Sequence, residues 1–131
     1  MISESAIVCQ VQPEDPQIVV LGVNNNAVSL IWENCGGNAN ETMISFGFKR
    51  QRPGSVLTEQ IAFRGATEEH FTMNAPFIDK KKYDARANQE LWIFNVQIND
   101  EYIYTLEIFY RTSGGADLNE TFQVTVDVKG K

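Results

Sequence analysis

Apolar and polar residues along this chain alternate in short runs separated by turn formers, the period of half-buried β-strands. In the clearest stretch Leu91 and Ile93 share a phase and Val96 closes a strand. Asp100 then marks a tight corner, and Tyr104 and Leu106 resume an alternation that continues through Ile108 and Tyr110. Val28, Leu30 and Trp32 line one face of 27–32, and Phe122, Val124, Val126 and Val128 one face of 121–128. Further strands are predicted over 17–22, 43–52 and 56–63, the last two joined by a Pro53-Gly54 turn, because proline presets φ and glycine supplies the positive φ that follows. Pro13 and Pro16 leave 1–16 as an amino-terminal arm and first edge strand, since two prolines this close do not fit a central strand. The least readable segment is 64–90, where Glu68-Glu69-His70, Pro76 and Lys80-Lys81-Lys82 break any period. With no helical period anywhere, the pattern predicts an all-β, two-sheet antiparallel sandwich forming one domain over 1–131.

Composition narrows the function. A chain of 131 residues buries roughly two-thirds of its unfolded surface and needs no staple to fold. Its net charge of -6, without a basic stripe, argues against nucleic acid or direct membrane contact. Met1-Ile2-Ser3-Glu4 lacks the basic start and apolar core of a signal peptide, so secretion would require a leader outside this sequence. Cys9 and Cys35 stand apart from other metal-ligating residues and are either a disulfide or two buried thiols. Asn40-Glu41-Thr42 and Asn119-Glu120-Thr121 are N-glycosylation acceptor patterns, about one of which is expected by chance in so Asn-, Ser- and Thr-rich a chain. The single histidine, His70, reads as part of a solvated charged loop rather than a metal site, and no phosphate-binding or nucleophile motif is present. No enzyme, metal or cofactor is expected, which leaves binding.

Residues 91–106 resemble the E-to-F segment of immunoglobulin-superfamily V-set domains, L-x-I-x-x-V-x-x-x-D-x-x-x-Y-x-C, matching five of the six marked positions with Leu106 in place of the cysteine. Phe48-Lys49-Arg50-Gln51-Arg52-Pro53-Gly54 is similar to the W-Y-R-Q-K-P-G end of the V-set C strand. The resemblance implies a V-set Greek-key sandwich with strands C″ and D inside 64–90. It also implies a core of Trp32, Phe48, Leu91, Ile93, Tyr104 and Leu106 without the family's B–F disulfide. Tyr104 would be its corner tyrosine, and Asp100 would pair with Lys80, Lys81 or Lys82. The first strand of such a sandwich starts at the end where strand B finishes, which implies a Cys9–Cys35 bridge.

Ile44, Phe46 and Phe48 are expected to point inward, which turns Ser45, Gly47, Lys49 and Gln51 outward beside Thr105, Glu107 and Phe109. Lys49, Gln51, Glu107 and Phe109 are therefore the expected partner-binding residues, on the GFCC′ sheet of an extracellular recognition ectodomain. The expected partner is protein, another copy of the chain or a related domain. Loss of the disulfide with the E-to-F motif kept looks like the amino-terminal domains of allorecognition receptors in colonial hydroids, where the implied activity is homophilic binding. Alternatives are a structural or decoration module of a phage or bacterial surface protein, or an immune effector that binds microbial ligands through its loops.

Overall fold

A computed structural model describes residues 2–7, 17–23, 27–32, 41–86 and 89–129. Among the described residues ten strands follow in order: β1 (Ile2–Ile7), β2 (Ile18–Gly22), β3 (Ala27–Trp32), β4 (Glu41–Gln51), β5 (Thr58–Gly65), β6 (Thr72–Met73), β7 (Tyr83–Arg86), β8 (Glu90–Phe94), β9 (Ile103–Thr112) and β10 (Asp117–Lys129). They form a four-stranded sheet, β1-β3-β8-β7, and a six-stranded sheet, β2-β10-β9-β4-β5-β6. The unreadable 64–90 segment holds β6, β7 and a 3-10 turn at Ala75–Phe77. Val56 and Leu57, expected in a strand, instead lie exposed in the turn before β5.

The two sheets meet along their apolar phases. Val28, Leu30 and Trp32 of β3, Leu91 and Ile93 of β8, and Tyr83 of β7 face Phe48 of β4, Tyr104, Leu106 and Ile108 of β9, and Val124 of β10, all fully buried. Each such large side chain contributes roughly 1.5–3 kcal/mol by leaving water. Trp32 ties the layers together. Its ring lies 5.4 Å from that of Phe48, and its indole N–H donates to the Phe122 carbonyl at 3.0 Å. Leu106 is flanked in the ladders by those same two residues, Phe48 on one side and Phe122 on the other.

Two ladders depart from the antiparallel expectation: β1 runs parallel to β3, and β2 parallel to β10. Parallel pairing needs a crossover between the partners. That crossover exists because β1 and β2 lie on different sheets, so the chain changes layers before β3 begins.

The corner before β9 is held by buried polar groups. Asp100 accepts the Gln97 N–H at 2.7 Å and pairs with Lys82 at 2.9 Å, while Lys82 also donates to the carbonyls of Phe94 and Asn95. The Tyr104 hydroxyl donates to the Asp100 carbonyl at 3.1 Å, Tyr83 donates to Tyr104, and Arg50 donates to Tyr83. Burial pushes the Tyr104 hydroxyl well above its ordinary pKa, with Tyr83 adding to the effect, and burial raises Tyr83 too. Arg50 lies over the rings of Tyr102, Phe77 and Tyr83 at 4.3, 4.9 and 5.5 Å. Burial works against its charge, but hydrogen bonds to Glu59 and Tyr83 more than offset that and hold the guanidinium above its usual pKa.

Candidate protein-binding face

Ladder register arranges the outward residues of the six-stranded sheet in rows across β10, β9, β4 and β5. One row is Asn119, Phe109, Ser45 and Gly65, and the next is Thr121, Glu107, Gly47 and Phe63. A third is Gln123, Thr105, Lys49 and Gln60, and Thr125, Ile103, Gln51 and Thr58 complete the grid. Alternation along each strand forces this placement, because the opposite phase is committed to the core.

Three large apolar side chains stand out from the grid: Phe109 (40% exposed), Phe63 (43%) and Ile44 (38%). Between them the floor is low, since Ser45, Gly47 and Gly65 carry little or no side chain. A Cβ on Gly47 would come within 3.3 Å of the Gln60 amide nitrogen, so that amide lies against the glycine. A depression of about 330 Å³ beside Phe109 is lined by Ile44, Ser45, Tyr110, Arg111, Asp117 and Leu118.

Polar order accompanies the apolar patch. Glu107 is only 8% exposed because Lys49 approaches its carboxylate at 2.5 Å and the Asn119 amide donates to its other oxygen at 2.8 Å. Lys49, Glu107 and Phe109 thus come together on one face. Gln51 lies two rows from Glu107, and its side-chain amide is turned to the Ser55 carbonyl in the adjoining turn. Asn119 joins this face directly. Asn40, Cys9 and Cys35 lie outside the described residues.

Two bulges break the alternation expected of β4 and β5. Ile44 was expected inside, but a bulge between Met43 and Ser45 makes it the extra residue, so Met43 packs against the core and Ile44 is exposed. Phe63 was missed for the same reason: β5 carries an extra residue opposite Phe48/Lys49, so Ile61 and Ala62 are both buried and the phase reverses, sending Phe63 outward. Uninterrupted alternation from Ile61 would have put Phe63 in the core, and no local signal marks the bulge.

The outer face of the other sheet is differently built. Its aromatics, Trp92 and Phe94, are half-buried and stacked, with Arg86 lying 4.2 Å over Trp92 and the Trp92 N–H donated to Glu90. His70 is exposed, and among the described residues no three His, Cys, Asp or Glu side chains gather to hold a metal ion. No helix among them is long and apolar enough to cross a membrane.

No family model and no curated protein matches the sequence. Solved structures do match the fold. Murine CRIg is similar with a TM-score of 0.65 and 15% identity, over 87% of this chain and 93% of that one. A chicken T-cell receptor chain is similar with a TM-score of 0.60 and 20% identity; 88% of this chain is covered, but only 49% of the receptor chain. A chain from the structural work on T cell specificity and activation by the bacterial superantigen toxic shock syndrome toxin-1 gives 0.63 and 12%, over 87% and 94%. With the sheet order and core described above, these likenesses establish the fold as an immunoglobulin-like V-set sandwich, in which β10, β9, β4 and β5 are the G, F, C and C′ strands.

Proposed function

We propose that this chain is an extracellular recognition domain of the cell surface that binds another immunoglobulin-type domain, and specifically a second copy of itself, through the outward face of β10, β9, β4 and β5. The observation that carries this reading is the composition of that face. Phe109, Phe63 and Ile44 stand above a floor of small residues, with Lys49 and Glu107 side by side among them. A two-fold interface brings the same patch from both partners together, so it must be complementary to itself. Adjacent opposite charges satisfy that demand, because each Lys49 can meet the other copy's Glu107, while exposed aromatics supply the apolar anchors on which interfaces depend. Recognition of self by identical domains, as in allorecognition, is the activity that such a face serves. The similar structures include a T-cell receptor chain, which fits a recognition role.

Beads displaying the domain made in bacteria, and so free of N-glycan, test this reading. Identical beads are expected to cluster, and Phe109→Ala is expected to abolish clustering while leaving the melting temperature unchanged. Lys49→Glu and Glu107→Lys, each repelling itself, are expected to fail alone and to cluster when mixed, since one face is then acidic and the other basic. Folded wild-type beads that stay dispersed, or clusters indifferent to Phe109, would overturn it.

A further inference from the structure

The geometry points to Asn119 as an N-glycan acceptor whose glycan shields Phe109 and closes the face to protein partners; the closing of the face rests on the recognition reading above, the shielding does not. Asn119 and Thr121 of the acceptor pattern Asn119-Glu120-Thr121 occupy the same phase of β10, both exposed and both turned outward on this face. Their cross-strand partners are Phe109 and Glu107. Directly opposed side chains in an antiparallel pair have Cβ atoms about 5 Å apart, so a sugar rooted at position 119 begins beside the Phe109 ring.

The direction of the Asn119 side chain decides where the glycan goes. Ladder pairing of β2 to β10 starts at Thr125, so an outward-leaning Asn119 could have carried a sugar off the sheet edge. Instead its Nδ2 reaches across to Glu107 Oε2 at 2.8 Å, which places the attachment atom over β9. In the transfer, Nδ2 attacks C1 of an oligosaccharide carried on a lipid pyrophosphate. A C1–N bond replaces the C1–O bond, the lipid pyrophosphate leaves with the C1–O electron pair, and Nδ2 loses one of its two protons to solvent and keeps the other. A hydrophilic chain many times the volume of a side chain then stands where a facing domain must pack. Occupancy at one asparagine would thus decide whether the same polypeptide is competent to bind.

The experiment uses the full chain made through a eukaryotic secretory pathway, with Asn40→Gln throughout so that Asn119 is the acceptor read. Thr121→Ala removes the pattern and leaves the Asn119–Glu107 contact intact, and Thr121→Ser preserves the pattern. Intact mass should show hexose and N-acetylhexosamine increments on the parent and on Thr121→Ser, absent from Thr121→Ala. Hydroxyl-radical labelling of Phe109 should rise several-fold in Thr121→Ala relative to the parent, and bead clustering should appear in that variant alone. A parent without glycan mass, or equal Phe109 labelling with and without the glycan, overturns the inference. Altered labelling with no clustering in Thr121→Ala supports the shield and counts against homophilic recognition instead.

Discussion

Trp32 does at one position what a cross-link between sheets would do, since it fills the core against Phe48 and binds the backbone of β10 beside Leu106. Trp32→Ala leaves a large cavity and an unpaired carbonyl, and should lower unfolding free energy by about 3–5 kcal/mol. Trp32→Phe restores most of the volume and loses the hydrogen bond, a cost of roughly 1–3 kcal/mol; denaturant titration of both variants separates packing from bonding. Tyr104 adds a pH dependence. Its folded pKa is raised above the ordinary 10.0, as is that of Tyr83, so both hydroxyls stay protonated in the fold where the unfolded chain would ionise them. Above that value the unfolded state binds fewer protons, and stability falls as pH rises, whereas below it these groups add no slope. Melting temperature should therefore decline on the alkaline side of about pH 10, and Tyr104→Phe, about 1–2 kcal/mol less stable at neutral pH, should decline less steeply. At this scale the sequence was highly legible: Trp32, Tyr104 and Leu106 sit in runs whose phase has no competing reading, and their phase alone says which way they point. Lys82 could not be chosen over Lys80 and Lys81 because adjacent lysines differ only in where a turn leaves them.

Strands were legible where alternation is unbroken and obscure where it is not. β3, β9 and β10 follow from the period-two pattern, whereas β6 has two residues and β7 four, too few to show a period, with a 3-10 turn between them. Bulges do more damage than brevity. One extra residue in β4 and one in β5 reverse the phase at Ile44 and Phe63, so two of the three prominent apolar groups on the proposed binding face were invisible to a phase argument. The first strand brought a different surprise, since β1 lies parallel to β3 with Ile7 opposite Trp32. The chain leaves both strands at one end. Cys9 follows Ile7 by two residues and Cys35 follows Trp32 by three, both outside the described residues. Neighbouring strands lie about 4.8 Å apart, within the usual Cα separation of bridged cysteines. A Cys9–Cys35 disulfide is the expected outcome, seen as a mass gain of about 2 Da on reduction, and an unchanged intact mass would exclude it.

For the molecule as a whole, the V-set sandwich was readable from residues 48–54 and 91–106 because turn and corner chemistry constrains residue type more tightly than strand interiors do. A partner leaves no such mark, since an exposed aromatic such as Phe109 obeys the same alternation whether or not anything binds it. The link between Trp32 and Phe122 has a further consequence, for the order of events during synthesis. It spans 90 residues of sequence, and β2, made early, has β10 as its one ladder partner among the described residues. Both wait for the last strand. Contacts this distant in sequence form late, because the loop they close must first be brought together. A nascent chain stopped at Ala116, before β10, should therefore remain open to protease however long it pauses, and one extended through Lys129 and clear of the ribosome should become resistant. Until that moment β2 and the Trp32 indole, both made in the first quarter of the chain, lack the strand that receives them, so the emerging domain presents these early apolar residues to chaperones for most of its translation.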